Sequence, residues 1–189
     1  MASTTDVPFR PTRQQLEAAR AKSVPDVIAP DLKLLLVGIN PGLYSAATGH
    51  HFARPGNRFW PTLFASGITP RLYRPFEERA LLTLRIGITN IVARATAAAN
   101  ELTRDELRRG AMRLTRLIRK YRPKTVAVVG VGSYREAFAQ PGAKLGKQPE
   151  KLEGADVWVL PNPSGLNAHY QPRDLTRLFG ELREALDHR

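Results

Sequence analysis

Short apolar runs alternate with longer amphipathic stretches along most of the chain. Four apolar runs end close to glycine, proline or asparagine, which is typical of buried strands. They predict strands over 33–39, 86–92, 125–129 and 157–160. Apolar residues between these runs recur with helical spacing, so strands alternate with helices. This order predicts an α/β fold of three layers, α/β/α, with a mostly parallel central sheet of about four or five strands.

Capping residues and apolar faces mark the predicted helices. Thr12 begins a short helix that reaches Lys22, and Gln15 completes its capping box. Further helices are predicted over 57–66, 76–84, 103–121, 133–138 and 172–186. The helix predicted over 57–66 has an apolar face of Phe59, Trp60, Leu63 and Phe64. The buried stripe predicted for the long helix consists of Leu107, Met112, Leu114, Leu117 and Ile118, with Met112 one position off the helical spacing.

The N-terminal part of the chain differs from the rest in composition. Residues 1–11 are polar, and residues 24–30 contain two prolines and are typical of a linker. We therefore expect an N-terminal extension over 1–30, with a short helix, and a single domain over 31–189. No apolar run approaches ~18 residues, and the first residues lack the apolar centre of a secretory signal. A cytoplasmic location is expected, nucleoid-associated in a prokaryote.

Charge and cysteine content narrow the function classes. The chain has 29 Lys and Arg against 17 Asp and Glu, a net charge of +12. Such an excess predicts a polyanionic partner, most simply nucleic acid; the alternative is a solvated, arginine-rich surface. The absence of cysteine excludes disulfides, thiolate metal sites and cysteine nucleophiles.

Two short loops carry the candidate chemistry. Residues 38–42 (GINPG) follow the apolar run LLLV, and residues 162–166 (NPSGL) follow VWVL. Because ligands of open α/β sheets bind where the carboxyl ends of strands open into loops, the two loops are expected to line one pocket. The long segment 40–56 is also typical of a functional loop. For Asn40, the alternative is a turn residue before Pro41.

Other chemistries find weaker support. Gly130 and Gly132 follow a strand and open a helix, but Arg135 stands where a dinucleotide-binding motif has its third glycine. A nucleotide-dependent enzyme built on this turn stays open as a remote alternative. The histidines lack metal-binding spacing. His50 and His51 are predicted to be solvated loop residues, with the alternative that they face a ligand. No metal or other cofactor is expected.

Three ordered motifs together resemble a known family. Residues 38–42, 52–60 and 162–166 are similar to the signature of the mismatch-specific uracil/thymine DNA glycosylases, a branch of the uracil-DNA glycosylase superfamily. The segments 87–92 and 157–161 resemble the family's intervening segments, and the likeness runs from about Leu32 to Leu186. It implies a monofunctional glycosylase that flips uracil, and also thymine or ethenocytosine, out of mismatched double-stranded DNA. Hydrolysis of the N-glycosidic bond then starts base excision repair, without a cofactor and with the enzyme as a monomer.

The resemblance also implies roles for residues of the first loops. Asn40 would hold the attacking water; an aspartate occupies this place in the more efficient branch, so modest turnover is expected. Phe52 would stack on the flipped base. Gly42 stands where the uracil-specific branch has a tyrosine that blocks the pyrimidine C5 position, so larger bases would enter. The groups implied in recognition of the base edge are the Ile39 backbone N–H and the side chains of Asn90 and Asn162.

The resemblance assigns the third loop to the DNA strand. Leu166 would be the wedge that fills the space left by the flipped base, and Gly165 would let the loop approach the strand. Backbone groups of Gly165 and Asn167 would face the orphaned guanine. Ser45 and Ser164 would donate to phosphates.

Three departures from the family pattern qualify these roles. Ala168 stands where relatives often have an arginine, and Asn90 where some have a lysine. Ala93 stands where family members often have an acidic residue, so a catalytic helper is missing if that carboxylate assists the water. The alternative function is therefore a DNA-binding or nucleotide-binding module with little or no turnover.

Overall fold

A five-stranded sheet forms the centre of the protein. The structure, a computed structural model, describes residues 9–165 and 169–188. The strands of the described chain are β1 (Leu34–Gly38), β2 (Ile86–Asn90), β3 (Thr125–Val129), β4 (Gly146–Lys147) and β5 (Asp156–Leu160). Their order across the sheet is β2-β1-β3-β5-β4. The first four strands of that order run parallel, and only β4 at the edge is antiparallel. The prediction of a mostly parallel sheet is confirmed.

Six α-helices surround the sheet in the described ranges. They are α1 (Arg13–Ala18), α2 (Leu43–Thr48), α3 (Phe59–Ala65), α4 (Arg104–Tyr121), α5 (Val131–Ala137) and α6 (Pro172–Asp187). Two 3-10 helices, Pro75–Leu84 and Ala99–Glu101, lie before and after β2. None of these helices is long and apolar enough to cross a membrane.

Alternating side chains of the strands build one core on each face of the sheet. Leu34 and Leu36 of β1 pack with residues of α3 and α6. Leu35 and Val37 point the other way and pack with residues of α4 and α5. Because successive side chains of a strand leave opposite faces, a wholly apolar strand requires cover on both sides. The three-layer α/β/α architecture follows directly.

The long helix α4 shows how local signals fix an element. The Thr103 hydroxyl accepts a hydrogen bond from the Glu106 N–H at 3.1 Å, and Glu106 in turn accepts from the Thr103 N–H. This capping box satisfies two N–H groups that have no partner within the helix. Met112, predicted in the buried stripe, is 57% exposed, and Phe64 of α3 is 48% exposed. The predicted burial of both side chains was wrong, because each residue lies one position beyond the buried face of its helix.

Three short elements have no counterpart in the predictions, and one of them is the 3-10 helix Ala99–Glu101. Helix α2 lies inside the segment 40–56, which was predicted to be a loop; it follows Gly42 and ends at Gly49, whose φ of 77° suits glycine. Strand β4 has only two residues and no apolar pattern. The helix shortens the loop and gives it a rigid base beside β1.

The segment predicted as a linker packs against the sheet. Val27 forms an antiparallel bridge with Ile88 of β2, through hydrogen bonds of 2.9 and 2.8 Å. Val24 and Val27 are buried. The short helix α1, with its Thr12–Gln15 capping box, precedes this segment. The boundary proposed between residues 30 and 31 stays a prediction.

Candidate active site

A cavity of about 230 Å³ lies at the carboxyl edge of the sheet. Strands β1, β2, β3 and β5 all end at this edge because they run parallel. The cavity is smaller than the ~300–1,000 Å³ of sites for drug-sized ligands, so it suits a single planar ring. The predicted site residues that line it are Ile39, Asn40, Gly42, Ser45, Phe52, Asn90, Asn162 and Ser164.

The carboxamide of Asn40 is held in one orientation. Its nitrogen Nδ2 donates to the Thr96 hydroxyl at 2.7 Å and to the Arg94 carbonyl at 3.0 Å, with the Pro41 carbonyl at 3.3 Å. The Thr96 hydroxyl donates its own hydrogen to the Ala98 carbonyl, so it can only accept from Asn40. Flipping the amide would place its oxygen against these carbonyl oxygens.

This orientation leaves the Asn40 oxygen as an acceptor beside the cavity. No described residue donates a hydrogen bond to Oδ1. A water in the cavity can donate one hydrogen to Oδ1 and turn a lone pair toward a bound group. A neutral amide is not a strong base, and the predicted role of Asn40 in holding the water stays a prediction.

Phe52 forms an aromatic wall of the cavity. Its ring stacks on Phe59 with centroids 3.8 Å apart and planes 13° apart. Phe59 is fully buried, so one face of Phe52 belongs to the core. The ring also lines the cavity, where a planar base can stack on it. Phe52 thus both packs in the core and lines the cavity.

The backbone around Phe52 is fixed from three sides. Phe52 has a φ of 53°, a left-handed conformation that non-glycine residues rarely adopt. The preceding His51 donates its N–H to Glu78 at 2.8 Å, and its carbonyl accepts from Trp60 Nε1 at 3.2 Å. The following Ala53 N–H donates to the Ser45 hydroxyl. These bonds hold the unfavourable backbone in place.

His51 is buried, which corrects the prediction of a solvated loop histidine. It is 2% exposed, and its ring contacts the Pro25 carbonyl and the Asn90 side chain. Burial lowers the pKa of His51, although nearby Glu78 acts in the opposite direction. Its neighbour His50 is half-buried and contacts Glu78 at 3.0 Å. The partners lie far away in sequence, so the local pattern did not reveal them.

Asn90 ends β2 and lies almost completely buried against the cavity. A Cβ atom on Gly38, its neighbour in the sheet, would lie 2.4 Å from Asn90 Oδ1 and 3.1 Å from the Phe52 ring. Glycine at position 38 is therefore what allows these two side chains to reach the cavity.

Gly42 leaves open space at the cavity. No atom lies within 4 Å of a Cβ built on it, and its φ of −73° is ordinary. Ile39 also lines the cavity, and its carbonyl accepts from the Val92 N–H at 2.9 Å. The recognition roles of both residues stay predictions.

The third loop is joined to the second motif. Asn162 Oδ1 accepts from the Ser164 N–H at 3.0 Å, an Asx-type turn that fixes the amide. Arg58 donates to the Ser164 carbonyl at 2.5 Å and to the Tyr170 carbonyl at 2.6 Å. A Cβ on Gly165 would lie 2.4 Å from the Gly56 carbonyl oxygen. The close contact with Gly56 therefore requires a glycine at position 165, independently of the predicted approach to DNA.

Several predicted residues remain without a structural test. Leu166, Asn167 and Ala168 lie outside the described residues. Ser45 is buried at the cavity and accepts from the Ala53 N–H, so its predicted phosphate contact stays a prediction. The described lining includes Thr96 to Ala99 but not Ala93, whose acidic counterpart also stays a prediction.

The glycine turn after β3 packs against Ile39, a residue that lines the cavity. Gly130 has a φ of 132°, and a Cβ there would lie 2.9 Å from the Ile39 side chain. Val129, the residue before it, lines the cavity. The turn thus makes room for Ile39, which accounts for the glycine without a bound dinucleotide.

Thr96, Arg54 and Asn57 line the cavity but were not predicted as site residues. Arg54 and Asn57 stand inside the second motif, so the motif itself was an available signal. No sequence signal pointed to Thr96, because it follows β2 by several residues and contacts Asn40 only in the folded chain.

The cavity thus combines an aromatic wall with an oriented amide at the carboxyl edge of an α/β/α sheet. The sequence profile of the uracil DNA glycosylase superfamily matches residues 25–186, and the chain belongs to that superfamily. Its fold is similar to the NMR solution structure of a candidate uracil DNA glycosylase from Methanosarcina acetivorans. The TM-score is 0.54 at 18% identity, over 86% of this chain and 98% of that chain. At this identity the likeness shows the fold alone.

Replacing Thr96 with valine is expected to slow base release about tenfold, the equivalent of one hydrogen bond. Valine keeps the shape but cannot accept from Asn40 Nδ2, so only the Arg94 and Pro41 carbonyls still hold the amide. Single-turnover release of uracil from a duplex measures the effect. Thr115→Val is the matched control, since that hydroxyl bonds only the Ala111 carbonyl on α4. A rate equal to the wild type would show that Thr96 does not orient Asn40.

Proposed function

We propose that the protein is a monofunctional DNA glycosylase that removes uracil from mismatched double-stranded DNA. The observation that carries the proposal is the Asn40 carboxamide, fixed with its oxygen toward a cavity that Phe52 walls. Membership of the uracil DNA glycosylase superfamily supports a hydrolase of N-glycosyl bonds. The preference for mismatches and the inclusion of thymine or ethenocytosine extend the proposal beyond that membership.

The proposed reaction needs positioning more than a strong base. A base inside a duplex is out of reach, so it must leave the stack and enter the cavity. There it stacks on Phe52, and a water held by Asn40 Oδ1 attacks the sugar carbon as the glycosidic bond breaks. The base leaves as an anion and the sugar becomes cationic in character, so oriented dipoles stabilise the transition state. No lysine is among the described lining residues, and we propose release without strand cleavage.

The proposed substrate is duplex DNA with a mismatched pyrimidine. The net charge of +12 favours binding to phosphates, and Arg54 is exposed at the cavity rim. A mismatched pair costs less to open than a matched one. The proposed contacts to the opposite guanine come from the loop that contains Gly165, Leu166 and Asn167, with the protein acting as a monomer.

Release of uracil from a short duplex tests the proposed function. The duplex carries one uracil opposite guanine or opposite adenine, and alkaline cleavage detects the abasic site. We expect release from both duplexes, faster opposite guanine. Binding without release would favour the alternative of a DNA-binding module, and equal rates would contradict the mismatch preference.

A tyrosine at position 42 is expected to narrow the range of bases. The open space and ordinary φ at Gly42 admit the ring without backbone strain. By the family resemblance, the ring would then occupy the side of the cavity that a 5-methyl group needs. We expect Gly42→Tyr to reduce thymine release more than about tenfold relative to uracil release. Competition between duplexes with thymine and uracil opposite guanine measures the ratio.

Gly142→Tyr is the control for that variant. Gly142 also has open space and lies outside the cavity lining. It should leave the ratio unchanged. An unchanged ratio in Gly42→Tyr would place the bound base elsewhere.

A further inference from the structure

The buried ring of His51 determines which atom of Asn90 faces the cavity. His51 Nε2 lies 3.0 Å from the Pro25 carbonyl oxygen, and Nδ1 lies 3.3 Å from Asn90 Nδ2. A carbonyl oxygen only accepts, so Nε2 must carry the hydrogen. A neutral imidazole has a single N–H, and Nδ1 is therefore an acceptor.

An acceptor at His51 Nδ1 leaves one arrangement for the Asn90 amide. Its nitrogen must face the ring, and its oxygen Oδ1 then turns toward Gly38 and the Phe52 ring. The Asn90 backbone carbonyl accepts from Arg113 at 3.1 Å, which fixes the end of β2. The side chain thus offers the base an acceptor.

The surroundings keep His51 from turning. Its N–H donates to buried Glu78 and its carbonyl accepts from Trp60, so the backbone is held on both sides of the ring. Burial lowers the pKa of His51, which favours the neutral ring. Pro25 belongs to the segment that packs against β2 through Val27.

We propose that His51 is a positioning residue that holds the Asn90 amide with its oxygen toward the flipped base. The cavity then favours pyrimidines with an N–H at the facing edge, as uracil and thymine have at N3. It disfavours cytosine, whose N3 is an acceptor. The inference rests on the proposed function for its substrate, whereas the orientation of the amide is a property of the free protein.

The orientation is tested first without any substrate. Nitrogen-15 NMR of the imidazoles distinguishes a protonated from an unprotonated ring nitrogen, and the signal missing from His51→Phe identifies His51. We expect a neutral ring with the hydrogen on Nε2 at pH 7.5. A hydrogen on Nδ1 would overturn the proposal.

The functional part is tested with a double-mutant cycle on uracil release. His51→Phe should slow release about tenfold in the wild-type background and have no further effect when Asn90 is already alanine. His51→Asn, which can keep an oxygen near the place of Nδ1, should restore most of the rate. His50→Phe is the control, because His50 contacts Glu78 but not Asn90.

Additive losses in the cycle, or no rescue by His51→Asn, would reduce His51 to a structural residue and overturn the positioning role. If the wild-type protein releases no base from any duplex, the proposed function fails instead. The NMR spectrum then decides the orientation of the amide alone.

Discussion

Asn40→Ala is expected to slow uracil release about a hundredfold or more, while DNA binding stays close to that of the wild type. Removing one oriented polar group from a reacting centre typically costs this much. In this protein the oxygen of Asn40 has no donor among the described residues, whereas its nitrogen is held by Thr96 and Arg94. Alanine removes the only part of the side chain that reaches the proposed water.

The measurement is single-turnover release from the uracil–guanine duplex, with binding followed separately by fluorescence anisotropy. Asn100→Ala is the control, since Asn100 is an exposed asparagine in the neighbouring 3-10 helix. Release within threefold of the wild-type rate, roughly 0.7 kcal/mol, would remove Asn40 from the reaction.

Phe52→Ala is expected to weaken capture of the flipped base. Stacking of a base on an aromatic side chain contributes about 1–3 kcal/mol, or roughly 5- to 150-fold. Alanine keeps the backbone bonds that flank position 52, so the loss is one of stacking surface. The effect should appear as a lower rate at subsaturating enzyme and as weaker binding of a duplex with a non-cleavable uridine analogue.

Phe64→Ala is the matched control for Phe52. Phe64 lies on α3 with half of its surface exposed and contributes no wall to the cavity. Unchanged capture by Phe52→Ala would mean that the base stacks on another group, and the packing of Phe52 on Phe59 would then be its whole role.

The sheet was accessible from sequence because its strands are continuous apolar runs. The run 125–129 was predicted with the bounds that the structure has, and the neighbouring strands within two residues. A parallel strand buried on both faces has few polar positions that obscure it. Strand β4 was missed because two residues at an edge carry no such pattern.

The gathering of site residues was also predictable in part. Asn40 and Asn162 follow strands whose carboxyl ends must share an edge once the sheet is parallel. The structure brings both to one cavity. The bonds that orient the amides were not predictable, because Thr96 stands 56 residues from Asn40 and His51 stands 39 residues from Asn90. Such pairs come together only in the folded chain, so no local sequence pattern indicates them.

The hydrogen bonds of the Asn40 amide also limit which residues position 40 can accommodate. Where the more efficient branch of the superfamily has an aspartate, a carboxylate oxygen in this protein would face the carbonyls of Pro41 and Arg94, which now accept from an amide. Carbonyl oxygens cannot donate to a carboxylate, so the two contacts that now stabilise the Asn40 amide would oppose an aspartate. An aspartate at position 40 would therefore need a compensating change in the turn at residues 94–96, which carries one of these carbonyls.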